Sequence, residues 1–484
     1  MASFRGEEQP GFRDLVGTWL SQQSWFQAAP GRRVITRVGG LRLPAPEGDP
    51  DQGLRLELHI IQVDHAAGQA RVAVPMALRS RPSALAGKTA FIGRLSAAAG
   101  DLWVYDGARD RAFLAAWHEM ARRGQGSRNG RSRGEAFAEF NTWPAFPAKL
   151  QRTPLDAPAP AVARTAVTVE GGAEETSKTL VDFIRRPDQH RPDALDTVLQ
   201  MSRNGSRTVA RVLGVVTGSW PEPHPGSGEP QWVTGDLGII REVSISGAPA
   251  STRARAALAE GSDFLPEATA LGRILGDFHA DLAGTFGAHP QTAAQLETSK
   301  DQAAEQLEQA WTKVREDSDE TATPELGDLI GRLGTALRSV DQVMDLQKIH
   351  GDLTLERLRQ HETGWIIDED GGMIDHAQPL RDVLSLIASL AELVREVTQR
   401  DSDTAPAQPE ASIKDLGLWY EQVTKAVLQG YRDSDASSSG IDTPLFEAAM
   451  VTESLELFHR WGARWVLGPC LSDKHQTGSG KHET

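Results

Sequence analysis

The stretch "IHGDLTLERL", residues 349–358, decides how this chain is read. Gly351, between His350 and Asp352, marks a tight turn, and an Asp after such a turn has two plain uses. It can cap a following helix, here "LTLERLRQ", by accepting N–H groups of the first turn. Alternatively it presents a carboxylate that orients or deprotonates a bound hydroxyl. Three residues taken alone favour the cap.

The neighbourhood shifts the balance. In "GWIIDEDGG", residues 364–372, Trp365, Ile366 and Ile367 form a short strand that ends at Asp368. Phosphoryl transfer needs one carboxylate at the attacking hydroxyl and a second, at a nearby strand end, to hold magnesium against the phosphates. Asp352 and Asp368 have that order, and a small sheet lobe and a helical segment precede them.

Composition narrows the alternatives. A chain of 484 residues is too long for one core and implies two or three domains. With 51 basic and 66 acidic residues, the net charge of −15 argues against nucleic acid or an anionic membrane as main partner. The lone Cys470 excludes a disulfide framework and speaks against a thiolate zinc site. "MASFRGEEQPGF" lacks a signal-peptide pattern, and "VLSLIASLAELV" is too short and interrupted to span a bilayer. A soluble, cytoplasmic protein is expected.

Along the chain, "LRLELHIIQV" and "ARVAVPMAL" read as strands, and "DRAFLAAWHEMARR" as a helix. "RRGQGSRNGRSRG", residues 122–134, is basic without interleaved aromatics and is expected to be a disordered, solvated loop. After the joint "TPLDAPAPAVA", "RTAVTVE" and "SKTLVDFIRR" read as a hairpin, "RPDALDTVLQMS" as a helix, and "ARVLGVVTGSW" and "GDLGIIREVSIS" as strands. From about residue 250 the apolar spacing is helical. Leu271, Ile274, Leu275, Phe278 and Leu282 form one stripe, and Val383, Leu386, Ile387, Leu390 and Val394 another. His279, beside the first stripe, is assigned no role.

These residues resemble a known family. "WLSQQSWF", "LGRILGDFHADLAGTFG", "HGDLTLERL", "GWIIDEDGG" and "PLRDVLSLIASL" occur in the order seen in actinobacterial maltokinases, relatives of the aminoglycoside phosphotransferases. The resemblance implies an α+β chain: an N-terminal α/β cap domain followed by a bilobal protein-kinase-like domain. The expected boundaries are 1–150 for the cap, 160–248 for the N-lobe, 249–472 for the helical C-lobe and 473–484 for a disordered tail. By position, the resemblance makes Asp352 the catalytic base and Asp368 the metal aspartate, with Asp370 close to metal and sugar. Glu242 and Val243 fall in the hinge that receives adenine. Arg381 and Asp382 either shape the acceptor site or form an ion pair at a helix start.

Several family positions are replaced. Thr354 stands where the family has His, and Arg357, which cannot coordinate a cation, stands at the amide metal ligand. The phosphate-contacting Lys falls at Asp182, and its helix carboxylate at Leu195, or at Asp196 if the alignment slips by one. Arg357 is accordingly expected to pair with Asp368 or Asp352 in the vacated cation space. Loss of all three charge roles points to a catalytically impaired, pseudokinase-type binder of a sugar or nucleotide. The alternative is an active ATP-dependent sugar kinase for a maltose- or glucosamine-type acceptor. ATP and magnesium are the cofactors only if the chain is active, and a protein partner is left open.

Overall fold

The computed structural model describes residues 10–471 apart from 27–32, 67, 84–87, 98–99, 138–139, 148, 157–159, 171–175, 189–192, 223–229, 244–246, 318–323, 362–363, 369–371, 405–409, 435 and 437–439. The chain divides into two compact units: Met1–Gly205 with Ala210–Val243, and Ser206–Val209 with Ser244–Thr484.

The first unit holds two antiparallel sheets. Helix α1 (Phe12–Ser21) precedes β1 (Val34–Leu43), β2 (Arg55–His65), β3 (Gly68–Arg79), β4 (Phe91–Ala97) and β5 (Gly100–Asp106), which form a sheet in the order β1-β2-β3-β5-β4. One face of this sheet buries Ile61, Val63, Val72, Val74 and Val104 against Phe12, Val16 and Leu20 of α1. The other face contributes Leu56, Leu58 and Ile60 to a larger core. That core takes in Phe113, Leu114 and Trp117 of α2 (Arg111–Arg122), whose first turn is capped by Asp110 accepting from Ala112 and Phe113 N–H.

The second sheet is built from β6 (Ser132–Ala136), β7 (Gln151–Leu155), β8 (Val162–Glu170), β9 (Thr176–Ile184), β10 (Val212–Glu222) and β11 (Gln231–Glu242), with α3 (Asp193–Arg203) between β9 and β10. Its order is β6-β10-β11-β9-β8-β7, so the expected hairpin of "RTAVTVE" and "SKTLVDFIRR" is present as β8 and β9. Phe183, Val181, Leu213 and Val216 share the core of α2 with the first sheet. The basic segment is mostly exposed to solvent, as its composition implies, but it is not disordered. Ser127 and Gly134 N–H pair with Ser132 and Gln125 carbonyls, and β6 then joins β10. Backbone pairing, which composition does not report, orders it.

The second unit is mainly helical: α4 (Ala250–Glu260), α5 (Leu265–Phe286), β12 (Ala288–Pro290), α6 (Ala293–Asp317), α7 (Pro324–Arg338), β13 (Asp345–Ile349), β14 (Leu358–His361), β15 (Gly364–Ile367), β16 (Ile374–Ala377), α8 (Leu380–Thr404), α9 (Glu410–Arg432), α10 (Pro444–Trp461) and α11 (Gly468–Leu471). Both predicted apolar stripes are buried, on α5 and α8, apart from the half-buried Ile274. Helices α5 and α9 cross closely because glycines meet backbone there. A Cβ on Gly272 would lie 1.9 Å from the Val427 carbonyl oxygen, and one on Gly430 1.9 Å from that of Thr269.

The expected helix "LTLERLRQ" does not form. A turn at 355–357 leads into β14, which pairs with β15 in the register Leu358↔Ile367 and Arg359↔Ile366. Leu353, Leu355 and Leu358 are each buried, so the leucines anchor a hairpin rather than line a helix. Among the described residues, no helix is long and apolar enough to cross a membrane.

Candidate functional site around Asp352

The turn His350–Gly351–Asp352 follows β13 and is held from below by Asp382, near the start of α8. The Asp382 carboxylate is fully buried and accepts the backbone N–H groups of His350 and Gly351, both at 2.8 Å. It also faces His279 Nε2 at 3.1 Å. Because a carboxylate only accepts, Nε2 carries a hydrogen; Nδ1 lies 2.9 Å from the Tyr431 hydroxyl, whose titration burial pushes upward. Burial alone would raise the Asp382 carboxyl. The His279 hydrogen bond and charge and the two backbone donors outweigh it and leave the group below the usual carboxylate range.

His350 ties this turn to the second aspartate. Its Nδ1 accepts the Asp352 N–H at 3.3 Å, and its Nε2 donates to the Asp368 carbonyl at 3.1 Å. Burial lowers its pKa, so the ring stays neutral in that single tautomer. Asp368 N–H donates to the Arg357 carbonyl at 2.7 Å, and Ile367 N–H to the Thr208 carbonyl at 2.8 Å. Thr208 is in turn fixed through its hydroxyl to Asp281, at 2.9 Å.

The structure assigns the guanidinium beside Asp368 to a different residue from the one expected. Arg359 Nε lies 3.0 Å from Asp368 Oδ2. Residue 357 sits directly across the ladder from 368, whereas 359 sits diagonally, within reach of a long side chain. Asp370 lies outside the described residues. Among the described residues, no group of three His, Cys, Asp or Glu side chains is placed to hold a metal ion. Among the described residues, with a guanidinium on Asp368 and another at Arg357, the side chains here do not fit magnesium, which wants two carboxylates or a carboxylate and an amide.

Asp352 itself is exposed, on the wall of a cavity of about 470 Å³ that Thr354 also lines. Around it stand Glu356, Glu392, Glu396 and Glu453, against the cations Arg255 and Arg460, and Trp461 supplies an aromatic wall. Arg255 is engaged with Glu396 at 2.8 Å, and Glu356 accepts from Ser251. Burial raises the Glu453 carboxyl pKa, against Arg460 and with Glu456. Asp382 takes no place in that wall, since its carboxylate is spent on the turn. Arg381 is exposed while Asp382 is buried, so neither expected role describes them as a pair.

The remaining predicted residues belong to the first unit. Asp182 is fully buried on β9, bridged by Arg164 at 2.8 Å and Arg241 at 3.0 Å. The charge of Asp182 is thus already met by two guanidiniums. Leu195 is core of α3. Glu242 closes β11 with its carboxylate on Arg211 Nε, 2.9 Å away, and its N–H on the Arg211 carbonyl; Val243 follows, half-buried. Reading the sequence missed His279, Asp281 and Arg359. The signal for the first was present: a polar residue beside an apolar stripe needs a buried partner.

Comparison with known proteins agrees with this architecture. The sequence family of the maltokinase N-terminal cap domain matches residues 19–110. A glucosamine kinase solved with glucosamine, ADP and inorganic phosphate superposes with a TM-score of 0.52 at 18% identity, covering 96% of this chain and 99% of that one. A second glucosamine kinase crystal form gives 0.48 at 19%, covering 96% and 98%. A choline kinase from Cryptosporidium parvum Iowa II gives 0.32 at 11%, covering 73% and 90%. The fold assignment rests on the first of these. Residues 19–110 are therefore similar to a maltokinase N-terminal cap domain, and the chain shares the fold of a glucosamine kinase.

Proposed function

We propose that this chain binds a small sugar in the cavity beside Asp352 and that its transfer of phosphoryl groups from ATP is impaired. The observation that carries the reading is the cavity itself. It combines the exposed Asp352, serine and glutamate side chains and the Trp461 wall, a combination suited to a polyhydroxylated ring. Carboxylates outnumber guanidiniums on its walls, which favours an amine-bearing sugar of the glucosamine type over neutral maltose. Impairment is supported by Asp182, which stands at the family's lysine position and is locked between Arg164 and Arg241.

A second reading, an active ATP-dependent sugar kinase, is favoured by the exposure of Asp352. There it would take the proton from the acceptor hydroxyl as the γ-phosphoryl group passes from ATP to that oxygen and ADP leaves. Calorimetry with glucosamine, glucose and maltose, beside ADP release with ATP and magnesium, separates the two. Sugar binding without turnover supports the binder. Turnover abolished by Asp352→Asn establishes the kinase, and no binding of any of these sugars overturns the acceptor-pocket assignment.

A further inference from the structure

We propose that Arg359 is a built-in cation that takes the place at Asp368 of the divalent metal this fold uses for phosphoryl transfer. The inference concerns the metal position alone and stands or falls independently of what the cavity binds.

The β14–β15 register decides the geometry. Arg359 faces Ile366, and the Asp368 N–H to Arg357 carbonyl bond continues the ladder by one step. Directly opposed residues share a face, as do residues two apart on a strand. Arg357, Arg359 and Asp368 therefore lie on the same face of the hairpin. Arg359 meets Oδ2 at 3.0 Å with side-chain exposures of 32% and 18%, so the pair is partly shielded from water and salt.

The backbone that carries Asp368 is fixed beside this partner. Its N–H is held by Arg357, its carbonyl by His350, and the preceding residue by Thr208. A divalent ion arriving at Asp368 would have to displace a tethered cation and meet a second guanidinium on the same face.

The test is Mn²⁺ binding to the full chain, alone and with ATP, followed by electron paramagnetic resonance of the free ion. Wild type is expected to bind Mn²⁺ no more tightly than Asp368→Asn. Arg359→Gln is expected to gain about tenfold or more in affinity, and Arg359→Gln combined with Asp368→Asn to lose that gain. Wild-type binding that Asp368→Asn removes overturns the proposal, as does a folded Arg359→Gln that gains nothing. If Arg359→Gln fails to fold by circular dichroism, the comparison of wild type with Asp368→Asn decides alone.

Discussion

Gly351 donates its backbone N–H to the Asp382 carboxylate at 2.8 Å, which binds the turn carrying Asp352 to the first turn of α8. The same carboxylate takes the His350 N–H and His279 Nε2. One buried charge therefore sets the position of the exposed aspartate at the cavity wall.

Removing that charge should be costly. Asp382→Ala leaves two N–H donors and a histidine buried without their acceptor, and is expected to destabilise the second unit by about 3–5 kcal/mol. Urea unfolding measures it. The pH sign follows from the lowered pKa: the stabilisation is present above the ordinary carboxylate range and is lost as pH falls through the folded value. Wild type should lose it on acidification, and Asp382→Ala should lack that component.

Gly351 is the second point of control. It sits at φ 86°, and a Cβ there would approach Ile374 Cδ1 to 2.6 Å and the Gly372 carbonyl oxygen to 2.8 Å. Gly351→Ala is expected to cost roughly 1–3 kcal/mol and to weaken sugar binding as Asp352 is displaced. Unchanged calorimetric affinity in the folded variant would contradict this.

Reinstating the family's lysine should not restore nucleotide chemistry. Asp182→Lys would set an ammonium against Arg164 and Arg241 with no carboxylate between them, and is expected to cost at least about 3 kcal/mol. Thermal unfolding should show the first unit melting earlier, with no gain in ATP affinity by calorimetry.

His118 gives the first unit an acid sensitivity. It is fully buried between the Leu114 carbonyl and the Thr179 hydroxyl, and burial pulls its pKa down to about 4. The unfolded chain binds that proton near pH 6.5, so stability falls as pH drops from about 6.5 towards 4. The loss reaches roughly 3 kcal/mol. His118→Leu should flatten this slope in pH-dependent urea titrations, and a parallel slope in the variant would refute the assignment.

The fold was largely legible because its main elements announce themselves locally. Alternating apolar residues mark β2, β3 and β8–β11, and the stripes of α5 and α8 follow helical spacing. The turn at Gly351 and the strand ending at Asp368 were equally visible. The helix expected after Asp352 was not there, since spaced leucines suit a buried hairpin as well as a helical face. The basic segment misled because composition does not reveal that β10 has an unpaired edge for it.

What the sequence determined alone is the order of elements and the placement of Asp352 and Asp368 at a turn and a strand end, both properties of neighbouring residues. Only the tertiary structure decided which partners the charges have. His279 and Asp382 meet from 103 residues apart, Asp182 and Arg241 from 59. Arg359 rather than Arg357 reaches Asp368 because side chains pair across a ladder diagonally as well as directly. Periodicity encodes which face a residue occupies, whereas a charge is neutralised by whatever the packed chain brings within about 3 Å.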